Sequence, residues 1–219
     1  MALGEIAKLT RTGASTTHRY LQSLVAEGLA VQDAASGRYD LGPAALGIGI
    51  AALRRIEPVE VAARRMRTLA DSIAASCGVA VWTDRGPTIV RWYRSAHFLL
   101  STVALGDVLP LNNSACGLVF QAFMPSERVK AARAQQPEAF RGRAPDAATL
   151  AGIRRTGFAE LSEHLLSSVT GKAAAVFDAQ GEIACVMTTV SLLNTAGPEG
   201  HDAVLQEAAL AANIECGSR

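Results

Sequence analysis

STTHRYLQSLVAEGLAVQDAASGRYDLG, residues 15–42, is the stretch on which the fold turns. Ser15 is placed to cap a helix that runs to about Glu27, and Gly28 supplies its stop. Upstream, LGEIAKL (3–9) has a short helical pattern and RTGA (11–14) reads as a turn. On the helix from Ser15, the residues Thr17, Leu21, Leu24 and Val25 share one face. Ser15, Thr16, Arg19, Gln22 and Ser23 then point outward, a polar set without an acid. Leu29 and Val31, a turn at Ala34 to Gly37, then Tyr39 and Leu41 alternate as a small β-hairpin. Helix, turn, helix, hairpin is the order of a winged helix-turn-helix, which assigns residues 1–42 to that unit.

The pattern continues outward from there. An Ala- and Leu-rich stretch from Pro43 to about Arg55 reads as a connecting helix, and Glu57-Pro58 marks a break, so 43–57 is a linker and 58–219 a second domain. A helix is expected from about Val59 to Ser76, stopped at Gly78. VAVWTD and TIVRWY then flank Arg85-Gly86-Pro87 as a hairpin, with another strand at 98–103. Helices are expected at about 114–124, 126–136 and 146–156, a hairpin joins KAAAVFD to EIACVMTTV, and a helix covers roughly 199–215. Paired strands with helices before and after favour an α+β domain on an antiparallel sheet. No repeat or low-complexity tract is visible.

Composition narrows the chemistry. Hydrophobic residues at 49% and charged residues at 19% suit a globular protein of 219 residues rather than a disordered one. Lys and Arg total 21 against 20 Asp and Glu, so any nucleic-acid surface must be local. The four cysteines, Cys77, Cys116, Cys185 and Cys216, show no CxxC pairing, which points to a reduced, cytoplasmic protein with no metal and no cofactor. No leader-like start and no uninterrupted apolar run of about 18 residues appear, so no membrane association is expected.

Side chains suggest two sites. The helix from Ser15 offers free backbone N–H groups to a phosphate, and Thr16, Arg19 and Gln22 can reach base edges. Ser36, Gly37 and Arg38 form a wing that positions rather than specifies, with Tyr39 and Leu41 as packing residues; His18 faces either DNA or the small core. A single winged helix covers few base pairs, so two copies on half-sites are expected. Four basic against four acidic residues within 1–42 equally permit a protein-interaction module. The turn Asn112 to Gly117 joins side chains to a helix start, a setting for the carboxylate of an organic acid, with Ser114 also a simple cap. Trp82, Trp92, Tyr93 and Phe98 line either a core or an aromatic pocket. Arg91 and Arg94 read as solvated.

Two enzyme readings compete. Gly171-Lys172 suggests a phosphate loop, but Leu166 and Ala173 stand where that motif needs Gly and Ser or Thr. A Cys/His hydrolase would use Cys116 with His97, His164 or His201, without a local nucleophile motif to support it.

The segment 15–42 resembles the DNA-binding half of IclR-family regulators, whose usual form is close to STVHRLLQTLVEEGLVERD followed by GRYRLG. LGDVLPLNNSACGLVFQAF (105–123) and AAVFDAQGEIACVMTTVS extend the resemblance over almost the whole chain. It implies a winged helix-turn-helix, a connecting helix and a larger GAF-like domain that binds an effector and forms oligomers. The implied function is transcription regulation, with double-stranded DNA and a small acidic effector as partners and a homodimer or dimer of dimers as the assembly. The implied DNA set is Ser15, Thr16, Thr17, His18, Arg19, Gln22 and Arg38. The implied effector set is the turn Ser114, Ala115, Cys116 with Thr188, and Glu163 and Cys185 as further candidates. Two features depart from the family: its first DNA-domain helix would precede Leu3, and Asn112 and Leu118 replace the usual His and Lys. A metabolite-binding module without DNA binding is the alternative those departures raise.

Overall fold

The computed structural model describes residues 1–53, 56–94, 103–140, 142–162, 169–192 and 201–218, and its chain forms two compact units, Met1–Ile56 and Glu57–Arg219. The first unit holds α1 (Leu3–Thr10), α2 (Ala14–Ala26), β1 (Ala30–Gln32), β2 (Tyr39–Leu41) and α3 (Pro43–Leu53). The stretch expected as a separate connecting helix therefore groups with the small unit. In α1 the Glu5 carboxylate accepts from the Ala2 amide at 2.7 Å, and Arg11 ends the helix at φ 53°. Tyr39 N–H donates to Met1 C=O at 2.8 Å, which ties the hairpin to the segment two residues before α1.

The start of α2 corrects the sequence reading. Its N-cap is Gly13, without a side-chain cap, so Ser15 lies inside the first turn. The stop is as expected: Gly28, at φ 69°, donates to Val25 C=O while Leu29 N–H reaches Leu24 C=O at 2.8 Å. That cap uses Leu29, so the strand begins one residue later and its alternation inverts. Ala30 and Tyr39 are buried, whereas Val31 and Leu41, expected on the packed face, are exposed. Leu24 is exposed too; the small core is Ala7, Thr17, Leu21, Ala30 and Tyr39.

In the second unit, β3 (Ser76–Thr83), β4 (Gly86–Tyr93), β5 (Phe158–Ser162), β6 (Val169–Phe177) and β7 (Ile183–Leu192) form one sheet, ordered β4-β3-β7-β6-β5. Every pairing is antiparallel, as the α+β expectation required. One face packs α4 (Pro58–Ser72) and α8 (His201–Glu215). The other packs α5 (Ala115–Phe123) and α7 (Ala147–Thr156), with α6 (Ser126–Gln135) beside the β3–β4 hairpin. On the α5 face, Ala80, Ala173, Ala175 and Val186 meet Cys116, Val119 and Phe120 in one buried cluster.

Several boundaries differ from expectation. The first helix of this unit stops at Ser72 and β3 begins at Ser76, so Gly78 is a strand residue and not a stop. The β3–β4 turn is Asp84-Arg85, since Gly86 already pairs with Thr83. The strand β5 was not anticipated. The strand expected at 98–103 falls almost wholly outside the described residues, and Val103 is not in a strand. Arg91 is not simply solvated: it pairs with Glu60 and donates to Val90 C=O at 2.9 Å.

A register shift between Val176 and Phe177 leaves ladder groups open on β6. Asn213 of α8 fills them, accepting from Phe177 N–H at 2.7 Å and donating to Ala175 C=O at 3.1 Å. Two residues on, Glu215 ties α8 to α4 through Arg64 and Arg65.

Candidate functional site

The outer face of α2 is built from Ser15, His18, Arg19 and Gln22, all exposed, with Thr16 half-buried. The helix contains no Asp or Glu, and with Gly13 as cap its first-turn N–H groups receive no side chain. Negative charge is therefore welcome along this face from the helix N-terminus onward. Thr17 belongs to a different environment. It is buried, its hydroxyl donating to Gly13 C=O at 3.0 Å and meeting the Thr12 hydroxyl at 2.6 Å, so it fixes the turn instead of facing outward.

The wing tip is ordered by Asp33, whose carboxylate accepts from the Ser36 hydroxyl (2.6 Å) and amide (2.7 Å). These bonds hold the Asp33 carboxyl below its ordinary range. Arg38 is exposed and pairs at 3.8 Å with Glu5, also exposed.

In the second unit the segment Leu109–Ser114 crosses the first turn of α5, and buried amides hold it there. Gln136 accepts from Leu111 N–H at 3.0 Å and donates to Leu109 C=O (3.0 Å) and Arg85 C=O (3.1 Å). Gln121 donates to Leu111 C=O at 2.7 Å and accepts from Arg133 at 2.6 Å. Gly117 permits the crossing, because a Cβ there would lie 2.2 Å from Leu111 O and 2.4 Å from Pro110 O. Gln121, Arg133 and Gln136 were not singled out from sequence, where an isolated Gln on a helix carries no mark of burial.

Ser114 caps α5, accepting from Gly117 N–H at 2.9 Å while donating to Pro110 C=O at 2.7 Å. The Ala115 and Cys116 amides precede the helical ladder, and among the described residues neither donates to another residue's backbone carbonyl outside the helix. Thr188 stands against this turn, its hydroxyl beside the Cys116 thiol and donating to Lys172 C=O at 2.8 Å. The structure thus brings Ser114, Ala115, Cys116 and Thr188 together. Cys185 sits on the opposite face of β7, its thiol 3.8 Å from Pro58 C=O, and is not part of the group. Glu163 lies outside the described residues, as do His97, His164 and Phe98.

Hydrolase chemistry at Cys116 is disfavoured. The thiol is buried, and burial pushes it up to about 12, far from the thiolate a nucleophile needs. Among the described residues no group of three or more His, Cys, Asp or Glu could hold a metal ion, and no helix is long and apolar enough to cross a membrane.

Comparison with known proteins agrees with this architecture. Residues 50–213 match the family described as "Bacterial transcriptional regulator IclR C-terminal", and residues 1–34 match "IclR helix-turn-helix domain". The chain is similar to the glycerol operon regulatory protein of Streptomyces griseus, 33% identical over 131 residues, 57% of this chain and 49% of that protein. It spans about half the length of the curated relatives it matches. Among solved structures it is similar to Pseudomonas aeruginosa HmgR, with a TM-score of 0.87 and 34% identity over 100% of this chain and 90% of that one. It also shares its fold with an IclR homolog from Microbacterium hydrocarbonoxydans complexed with 4-hydroxybenzoate (TM-score 0.61, 20% identity, 99% of this chain and 91% of that one). These relatives are regulators and not enzymes, and the chain belongs to the IclR family of bacterial transcriptional regulators.

Proposed function

We propose that this protein is a DNA-binding transcription regulator whose operator affinity is modulated by a small organic acid. The observation that carries the reading is the α2 face: Ser15, Thr16, His18, Arg19 and Gln22 on an acid-free helix with an uncapped N-terminus. Arg19 makes the base-edge contact, since it is exposed and has no ion-pair partner among the described residues. Arg38 holds the backbone beside it. The effector carboxylate lies at the amides of Ala115 and Cys116, with Ser114 and Thr188 around it.

The assembly is a homodimer or a dimer of dimers. A single small unit reads too few base pairs, and Leu9, Leu46, Ile48 and Ile50 stand exposed on it, an apolar surface that a second copy would cover. Effector binding then alters the populations of dimer arrangements, with a coupling of about 1–3 kcal/mol.

The test is fluorescence anisotropy of the full chain on DNA flanking its own gene, across a salt series. Sequence-preferring binding that weakens with salt supports the reading. Absence of any sequence preference would leave a metabolite-binding module, the alternative function.

A further inference from the structure

Among the described residues every positive φ belongs to a glycine except that of Arg11, at 53°. Arg11 closes α1 in a Schellman arrangement: its N–H donates to Lys8 C=O at 3.3 Å, and Thr12 N–H reaches Ala7 C=O at 3.1 Å. The left-handed residue of such a close is usually glycine, because a Cβ there is crowded by the following carbonyl. Arginine in its place lowers the folding equilibrium about 2- to 5-fold against glycine, after allowance for the extra chain entropy that glycine loses.

Its neighbours hold the strained turn in place. The Thr10 hydroxyl donates to Ile6 C=O at 2.8 Å and lies 2.8 Å from the Thr12 hydroxyl, which meets that of the buried Thr17 at 2.6 Å. Thr10 and Thr12 thus tie the turn down on both sides of Arg11, whose own side chain is exposed. The Arg11 guanidinium has no ion pair, hydrogen bond or ring partner among the described residues. Strain kept at a residue whose side chain adds no contact to the fold points to a use outside it.

The surrounding charge says which. From Ile6 to Ala26 the chain carries no Asp or Glu, and beside His18 its basic residues are Lys8, Arg11 and Arg19, all exposed. Glu5, just before that stretch, is engaged by the Ala2 amide and by Arg38. A cation at the end of α1 also suits the helix dipole, but Lys8 already stands in the last turn and needs no left-handed backbone.

We propose that Arg11 is a phosphate-contacting residue of the DNA surface, its guanidinium held out from the turn between α1 and α2 to an oxygen of the DNA backbone. This rests on the reading of α2 as the helix that faces DNA. The contact carries no sequence information: it orients α2, while the residues of that helix select bases. The small unit is therefore less stable than it would be with glycine at this position, and binds DNA more tightly.

The experiment uses the full chain, with anisotropy on a duplex from the DNA flanking its gene and on a scrambled duplex of equal length, across a salt series. Arg11→Gly removes the charge and the strain together. It is expected to weaken both duplexes alike, by about 3- to 10-fold, and to flatten the slope of log affinity against log salt by about 0.9 for each bound copy. In the same variant, hydrogen exchange of the α1 and α2 amides is expected to slow about 2- to 5-fold. Affinity and slope equal to those of the unsubstituted chain overturn the proposal; if Arg19→Ala is weakened in the same assay, the DNA reading stands without it. A loss confined to the flanking duplex also overturns it, because Arg11 would then be reading bases. If Arg11→Gly loosens the turn, exchange quickens instead, and Arg11→Ala, which keeps a Cβ at this position and removes the charge, decides: an unchanged salt slope there overturns the proposal. A chain that binds neither duplex overturns the DNA reading and this proposal together.

Discussion

Replacing Gly117 by alanine is expected to destabilise the second unit by about 2–6 kcal/mol, a large share of the 5–15 kcal/mol typical of a domain. The new Cβ would lie 2.2 Å from Leu111 O, 2.4 Å from Pro110 O and 2.6 Å from Leu111 C, where ordinary contact begins at 3.4 Å. The crossing segment would have to retreat by more than 1 Å. Both oxygens are engaged, Leu111 O by Gln121 at 2.7 Å and Pro110 O by Ser114 at 2.7 Å, so retreat breaks two bonds. Each buried group left unpaired costs about 1–3 kcal/mol. Denaturant unfolding followed by tryptophan emission measures this cleanly, because Trp82 and Trp92 both lie in the second unit and the first unit is silent. Gly152→Ala is the matched control: it lies inside α7 with nothing within 4 Å of a built Cβ, and should stabilise by about 0.5–1 kcal/mol. A Gly117→Ala midpoint at or above that of the unsubstituted chain, with an unchanged denaturant slope, would refute the claim that the turn is pinned on α5.

Arg19→Ala should relax base preference and weaken operator binding by about 1–3 kcal/mol, read by anisotropy against matched and scrambled duplexes. Cys77, Cys116 and Cys185 should resist iodoacetamide at pH 8 in the native chain and react on unfolding, because burial pushes each thiol up to about 12; mass spectrometry counts the adducts. The same shifts set a pH dependence. The folded thiols keep their protons above the ordinary value of 9 while the unfolded chain releases them. Stability is therefore intact below that value and falls as pH rises toward about 12, by about 1.4 kcal/mol per pH unit for each thiol. A flat unfolding free energy from pH 9 to 11 contradicts this.

Where a residue's role is set by its neighbours in sequence, the chain was readable. Gly28, Ser114 and Asp146 announce helix ends through caps acting over three or four residues, and the second-unit helices after residue 110 fall close to expectation. Alternation located the β6–β7 hairpin for the same reason. The misreadings occur where a distant partner decides. Thr17 falls on the inner face by its spacing but in the DNA set by resemblance, and it is the spacing that agrees with its burial and its bond to Thr12. Val31 and Leu41 were misplaced because the α2 cap takes one residue from the strand. FAELS at 158–162 has no clean period and becomes a strand only through pairing with β6. The turn at 112–117 was marked by its helix start, whereas Thr188, distant in sequence, came from resemblance alone. Gln136 and Gln121 are invisible until the fold buries them.

The clasp made by Asn213 and Glu215 bears on when this protein becomes whole during its synthesis. Residues 1–56 draw every contact of their unit from a short span of chain, so that unit is ready to fold once they have emerged. The second unit has no such option. β3, made early, stands between β4 and the much later β7, and the open groups on β6 are filled only from residue 213. At about 5–20 residues per second, the stretch from residue 56 to residue 213 leaves the sheet unclosed for about 8–30 s after the small unit has emerged. A chain cut short before residue 213 would therefore carry its small unit tethered to an unfinished sheet, a product for quality control to remove.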